Sequence, residues 1–586
     1  MIDTTQSWIR NVSDERAAEN GCRFDVLRGA WAVWWIERYC KLYEGERYAG
    51  TPLILHGCHE CDHSEFYALP EFDEEFVQER ARLFCECVKA GHRIDWQYEC
   101  LMRIFGWVVH SEHWEREVRR FRFASIWGAK KIKKTPTVSG IALYLTCGDG
   151  EPGNKVFLGG KDGEQIRKNM SEHIVAMRDQ SPDLREATTL NKTTLRISHG
   201  ESRSWLEPLS SSNIRTQKSK EGINGSVIID ETHVVDREFI RRISRAGISR
   251  PEPLQLEVST AGNDPDGYGK EQFDKACAII SGEKTQQNFF AAVYAAPQDV
   301  TDEELDADPL KYGCMANPAM GHTIDPAEFL DDYNQSKQGT VEDFATCKMY
   351  RFNIWQQSSN PWLKDGEWKR CGRDYTEADL LGRVCYGGMD LSLTWDTTAF
   401  VLVFPWDGEG DDQTYRLWPY IFLPEESAKK TRNDVRWFDF EKAGHMKITD
   451  GAQTDFAFVR KTIVEASKKF ELKQVAYDPK YAAQLAQELR DHDQIETIEF
   501  GQTPALFTEP IGLFEGLVKA GRIHHPRNEC LSWQARNVRK KRNGMLQKPE
   551  EADIKKIDGI VASLMGLGRA MLHKDRCWNP ADGIFL

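Results

Sequence analysis

Gly222-Ile-Asn-Gly-Ser-Val-Ile-Ile-Asp-Glu231 is the stretch from which the rest of the chain can be read. Val227, Ile228 and Ile229 follow one another without a polar break, the pattern of a strand buried on both faces of a parallel sheet. The run ends on two acids, Asp230 and Glu231. Adjacent carboxylates at the end of a buried strand are costly unless a cation or a metal meets them. In a nucleotide-hydrolysing site the first acid holds Mg²⁺ and the second polarises the attacking water. The competing reading is a strand that emerges into solvent. A phosphate loop upstream decides between them.

Phe121 to Ile126 has the alternation and aromatic content of a strand, and Gly128-Ala-Lys-Lys-Ile-Lys-Lys-Thr135 follows it directly. A phosphate loop reads Gly, four residues, Gly, Lys, Ser/Thr. Gly128, Lys134 and Thr135 fit, but Lys133 stands where the second glycine belongs. That glycine normally permits positive φ and close backbone approach to phosphate. Pro136 suits the first turn of a helix, and Val138, Ile141, Ala142 and Leu145 supply its apolar face. Strand, basic loop and helix is the context the motif needs. A solvated lysine cluster is the alternative. Upstream, Gln97 beside Trp96 has an amide able to read adenine, or is an ordinary polar helix residue.

Strand and helix signals alternate on both sides of this pair. Lys155 to Leu158, Thr193 to Ile197, Trp205 to Leu209 and Leu254 to Val258 read as strands. Gln165 to Met177 and Val235 to Ala246 read as helices, which predicts an α/β domain with a parallel sheet. Ser259-Thr-Ala-Gly262 forms a small polar turn, able to sense a γ-phosphate or merely to turn the chain. Residues 299–312 are acidic and read as a surface loop, and 355–380 as a linker.

A second α/β unit begins near Val384. Cys385 to Asp390 and Lys473 to Asp478 are each a strand closing on a carboxylate. The last long helix is expected from about Ile554 to Leu572, with Asp558 on the apolar stripe of Ile554, Val561 and Met565, and Asp553 pointing elsewhere. A carboxylate on a buried stripe needs a reason. If Asp390, Asp478 and Asp558 converge, divalent metal relieves their repulsion, and two-metal phosphodiester cleavage in a ribonuclease H-like arrangement is the natural chemistry. Three unrelated acids at element ends are the alternative.

The totals exclude little else. With 586 residues the chain holds several domains, and 40% hydrophobic with 29% charged content makes it globular. At a net charge of −14, contact with nucleic acid must come from local basic patches such as Arg241, Arg242 and Arg245, or Arg539-Lys-Lys-Arg542. No apolar run reaches the roughly 20 residues that span a bilayer, and Met1-Ile-Asp-Thr-Thr has no signal-peptide pattern. Fifteen cysteines in such a chain read as reduced thiols. Cys58-His-Glu-Cys-Asp-His63, followed by Cys85 and Cys87, has spacing that can bind zinc. It lacks a second regular Cys-x-x-Cys, so free thiols without a tightly held metal are expected.

From about Tyr48 to Ala570 the chain resembles the large terminase subunit of tailed bacteriophages. The likeness rests on Gly150-Glu-Pro-Gly153, Gly222 to Glu231, Ser259 to Gly262, Gly387-Gly-Met-Asp-Leu-Ser392 with Thr394, Asp396 and Thr397, Tyr477-Asp-Pro479, Trp533, Asn537 and Lys556-Ile-Asp-Gly559. The resemblance implies an N-terminal P-loop ATPase of the ASCE type and a C-terminal ribonuclease H-like nuclease. The expected boundaries are a helical lead at 1–90, the ATPase at 91–354, a linker at 355–380, the nuclease at 381–575 and a tail at 576–586. By residue it implies Lys134 and Thr135 on phosphates and Mg²⁺, Asp230 on the metal, Glu231 as catalytic carboxylate and Gln97 on adenine. Thr260 would lie in the segment coupling hydrolysis to movement. Asp390, Asp478 and Asp558 would form the nuclease triad, with Asp396 an accessory. Lys130 stands where many members carry an arginine that acts on the γ-phosphate, and lysine lacks the guanidinium fork.

The implied cofactors are ATP and Mg²⁺, with Mn²⁺ a substitute in the nuclease. The implied partners are double-stranded DNA, the portal protein of a procapsid, the small terminase subunit and further copies in a ring, with no membrane, in the host cytoplasm. The rivals are another ATPase–nuclease of defence or repair, and a non-catalytic nucleic-acid-binding scaffold whose phosphate loop is dead.

Overall fold

The computed structural model describes residues 5–44, 48–160, 166–210, 224–235, 237–243, 247–265, 267–356, 362–393, 396–408, 412–431, 435–541, 544–548 and 555–573. The chain divides into two compact units, Met1–Ser358 and Ser359–Leu586. In the first, a small antiparallel sheet of β1 (Arg23–Phe24), β2 (Trp107–Ser111) and β3 (Arg116–Arg119) precedes the main one. The main sheet is built from β4 (Phe123–Trp127), β5 (Lys155–Gly160), β6 (Thr188–Asn191), β7 (Arg196–His199), β8 (Trp205–Ser210), β9 (Ser226–Asp230), β10 (Gln255–Ser259) and β11 (Phe289–Val293), in the order β11-β4-β10-β9-β5-β8-β7-β6. From β11 to β8 every pairing is parallel, and β7 and β6 close the edge antiparallel. β4 and β9 are neighbours of β10, so Trp127, Asp230 and Ser259 come to the same end of the sheet, within one residue of register. The apolar run Val227 to Ile229 is buried throughout, as expected of a strand covered on both faces.

The aromatic N-terminal helices do not stand apart from this sheet. Trp8, Trp34, Trp35, Trp96 and Trp107 share one core with Ile126, Ile141 and Leu256. Residues 299–312, expected as a loop, are instead largely helical, over Asp302–Ala307 and Pro309–Ala316. Local chemistry explains the difference: Thr301 and Glu304 form a reciprocal capping box, and Asp308 caps the next helix, with Pro309 in its first turn.

The second unit holds β12 (Val384–Asp390), β13 (Thr398–Pro405), β14 (Tyr415–Pro424), β15 (Lys447–Thr449), β16 (Glu471–Tyr477) and β17 (Thr497–Glu499), ordered β15-β14-β13-β12-β16-β17, with β18 (Ile523–His524) added beside β14. β12, β13 and β14 are antiparallel neighbours, whereas β12, β16 and β17 run parallel. Trp362 and Trp368 are buried in the core of this unit, with Trp362 stacked on Phe514 and Trp368 on His525.

The final helix runs Asp558–Ala570, not from Ile554. Every residue from Asp558 to Gly568 is buried, so the helix has no solvated face against which to define a stripe. Asp558 is its first residue. A carboxylate there faces the positive end of the helix dipole, while lysines at 555 and 556 would oppose a helix start further upstream. Asp553, Ile554, Thr394, Arg245 and Arg542 lie outside the described residues.

Candidate active sites

In the first unit the chain leaves β4 at Gly128 and turns through Lys131 and Lys133 into the helix Lys134–Cys147. A side chain at Gly128 would put its Cβ 2.4 Å from Ile132 Cδ1, so the loop closes over a residue without one. Lys133 takes φ 64° and ψ 34°, the left-handed conformation that the missing glycine would adopt. Lys131 also has positive φ, 75°. The loop therefore keeps its turn despite the substitution, at a local cost of about 1–2 kcal/mol per non-glycine residue.

Lys134 folds back across the loop, donating to the carbonyls of Gly128 at 2.6 Å and Ala129 at 2.7 Å. Burial lowers its pKa to about 7, against the pull of Asp230 and Glu231. Asp230, at the end of β9, is pushed up to about 6 by burial and by Glu231, against Lys134. It accepts the backbone N–H of Glu231 at 2.9 Å. Glu231 sits at φ 54°, ψ 49°, a strained conformation of the kind found at functional sites.

These groups line one cleft of about 520 Å³, together with Lys130, Thr135, Thr260, Leu42, Tyr43, His173 and Met177. Lys130 donates its backbone N–H to Tyr350 O at 2.8 Å and lays its ammonium 3.4 Å from the centre of the Tyr350 ring. Gln97 is not among the residues lining the cleft. It is buried behind the loop, its amide donating to Thr137 Oγ1 at 2.6 Å, while Thr137 Oγ1 bonds Lys133 O. Trp96 Nε1 donates to Ile132 O at 3.0 Å. Both residues brace the loop from behind.

In the second unit Asp390 closes β12, and Asp478 follows β16 as the cap of the helix Pro479–Asp491, accepting from Lys480 N at 3.0 Å. Met389 pairs with Tyr477, so the two acids leave neighbouring parallel strands at the same level. The third acid is delivered by close packing of the final helix on β12. A Cβ on Gly388 would lie 1.9 Å from Ala562 O, and one on Gly566 would lie 2.8 Å from Val403 Cγ2. Burial, with Asp558 and Asp478 nearby, holds the Asp390 carboxyl well above its ordinary range. Burial also raises Asp558, although Lys548 opposes it. The three acids are thus electrostatic neighbours. Asp396 differs: burial would raise it, but hydrogen bonds from Lys548 and Lys556, each 2.6 Å, outweigh that and lower it. Such a carboxylate set suits a divalent cation.

A family model for the terminase large subunit ATPase domain matches residues 95–276, and one for the terminase large subunit endonuclease domain matches 283–574. The chain belongs to the large terminase subunits.

Among relatives, the large terminase subunit of Enterobacteria phage HK97 is 26% identical over 460 residues, 75% of this chain and 85% of that one. Protein YmfN of Escherichia coli (strain K12) is 25% identical over 377 residues, 61% of this chain and 81% of that one. The crystal structure of the HK97 large terminase aligns over 92% of this chain and 99% of that chain, at 21% identity and a TM-score of 0.47.

This terminase thus carries an ATPase domain and an endonuclease domain, consistent with DNA packaging and concatemer cutting and implying use of nucleotide and divalent metal. Among the described residues, no helix is long and apolar enough to cross a membrane.

Residue reading missed several groups around the terminase acids. Lys548 lies in a stretch without periodicity, and nothing in its neighbours announces the ion pair with Asp396. Thr397 hydrogen-bonds the Asp558 carboxylate through Oγ1, and Gln534 bridges Thr397 Oγ1 at 3.4 Å and Gly559 N at 2.6 Å. Asn537 donates to Lys556 O at 3.0 Å, fixing the segment before the final helix. Thr397, Asn537 and Lys556 stand in the motifs of the resemblance, which was their only sequence signal. Of the proposed basic patches, Lys540 is paired with Glu515 at 2.9 Å, and the side chains of Arg241 and Arg242 lie outside the described residues.

Proposed function

We propose that this terminase hydrolyses ATP with Lys134, Thr135, Asp230 and Glu231, and cuts DNA with Asp390, Asp478 and Asp558. The observation that carries the reading is the backbone geometry that gathers the acids: Asp390 and Asp478 leave paired parallel strands at one level, and the helix headed by Asp558 packs directly on Gly388. Acids so arranged repel one another until cations join them. Mg²⁺ fits the all-oxygen donor set, with Mn²⁺ able to replace it, and when bound it supplies charge stabilisation for the attacking and leaving oxygens of a displacement. Thr397 orients Asp558, and Lys548 and Lys556 keep Asp396 ionised beside the triad.

In the ATPase cleft, Lys134 would exchange its two carbonyl partners for phosphate oxygens, Thr135 and Asp230 would hold Mg²⁺, and Glu231 would take a proton from the attacking water. Thr260, at the end of β10, carries the coupling to movement. Lys130 supplies a mobile ammonium once it leaves Tyr350. Gln97 has its amide turned to Thr137, and contact with adenine requires that it rotate away. Family membership supports double-stranded DNA as substrate, a procapsid portal and the small subunit as partners, assembly as a ring, and action in the host cytoplasm.

The test separates the sites. Glu231→Gln should lower ATP turnover by about 10²-fold or more and leave plasmid cleavage with Mg²⁺ intact. Asp390→Asn, Asp478→Asn and Asp558→Asn should each do the reverse. Cleavage at the normal rate by Asp558→Asn removes that residue from the site.

A further inference from the structure

Outside both sites, four side chains of the first unit meet at one point. Cys58 and Cys61 come from the loop before the short turn Ser64–Phe66, Cys87 from the end of the helix Glu74–Lys89, and His92 from the bend just after it. Their ligand atoms all lie within 4.8 Å of one another. His92 Nδ1 is 3.8 Å from Cys58 Sγ and 3.4 Å from Cys61 Sγ, and Cys61 Sγ is 3.5 Å from Cys87 Sγ. With zinc–sulfur bonds of about 2.3 Å, tetrahedral geometry places sulfurs roughly 3.8 Å apart, and a nitrogen ligand slightly closer. A disulfide needs about 2.05 Å between sulfurs, and three thiols leave one over. The fold gathers three free thiols around one imidazole, and Cys85, grouped with Cys87 on sequence, turns away to Ser7 O at 3.4 Å.

We propose that Cys58, Cys61, Cys87 and His92 bind one structural zinc ion. Three thiolates and an imidazole with no open position are the donor set of a closed zinc site. His63 Nε2 approaches Cys87 Sγ alone, at 3.6 Å, so it is an outer contact and His92 the fourth ligand.

The site closes on the phosphate loop. Cys58 bridges to Ile94, His59 N donates to Arg93 O at 3.0 Å, and Asp95 N donates to Gly57 O. Asp95 caps the helix Trp96–Gly106, from whose first turn Trp96 and Gln97 hold Ile132 and Thr137. Zinc is thus a positioning clip for the loop and takes no part in either reaction.

The test uses the full chain, purified reduced and without chelator. Elemental analysis should find about one zinc per chain, and apoprotein given Co²⁺ should show the visible absorption of tetrahedral thiolate coordination. His92→Ala should weaken zinc affinity by more than the roughly 10–100-fold that loss of an outer contact costs, and His63→Ala by no more than that. The Cys58→Ser, Cys61→Ser double variant should lose the zinc and raise KM for ATP. Wild-type protein that lacks zinc and gives no tetrahedral Co²⁺ spectrum overturns the proposal, as does full zinc retention by the double variant. Loss on His63→Ala with retention on His92→Ala overturns the ligand assignment.

Discussion

Gly388 of β12 lies so close to Ala562 of the final helix that a Cβ on the glycine would stand 1.9 Å from the Ala562 carbonyl oxygen. The contact is backbone against backbone, so no side chain can yield to relieve it. It sets how near Asp558, at the head of that helix, comes to Asp390, two residues beyond the glycine. Gly388→Ala should therefore displace the helix, at a stability cost of at least about 1–3 kcal/mol, and lower DNA cleavage more than ATP turnover. Cleavage and ATPase rates measured on the same preparation check this. Normal cutting by the variant contradicts it.

Lys133→Gly should leave the loop in the same turn and remove the left-handed strain of a side chain at φ 64°. The expected gain is up to about 1 kcal/mol of stability, with ATP affinity equal to or better than wild type. Urea unfolding and calorimetry measure the two quantities. Weaker ATP binding after this change would mean that the Lys133 side chain itself holds phosphate.

Lys134 provides a pH signature. In the absence of nucleotide its pKa is lowered to about 7 by burial. At pH 8 the amine is therefore largely neutral, and an incoming triphosphate restores its proton. ATP binding at pH 8 should take up protons, read as a dependence of binding enthalpy on the ionisation enthalpy of the buffer, and Lys134→Arg should abolish it. The sign for stability follows from the same shift. Between about 7 and the ordinary value of 10.5 the unfolded chain binds the extra proton, so this group makes the nucleotide-free fold more stable as pH rises through that window.

Asp14 is 1% exposed and bonds Arg103 at 2.7 Å and Arg120 at 2.8 Å. Asp14→Ala leaves two buried guanidinium groups short of a counter-charge and should cost about 3–5 kcal/mol of stability. Thermal unfolding of the full chain checks this, and a shift no larger than that of a surface substitution such as Glu15→Ala would falsify it.

The sequence by itself determined most of the strands and what ends them, although Thr193–Leu195, read as part of a strand, instead form the turn between β6 and β7. Unbroken apolar runs such as Val227 to Ile229 must be buried, and a carboxylate that closes such a run is dear enough to be noticed, which made Asp230, Asp390 and Asp478 legible. The phosphate loop was legible from three of its four marks. Tertiary structure alone decided what meets across distance. Local chemistry capped the helices in 299–312, where net acidity had suggested a loop. The final helix starts at Asp558 and is buried all round, so its periodicity carried no information about facing. Lys548 beside Asp396, Thr397 on Asp558, and His92 among three cysteines are contacts between segments far apart in the chain. Spacing along a chain reports only what one helix or strand turns to one side. Which elements then pack together is set by close backbone approaches such as that of Gly388 to Ala562, and these have no local signature.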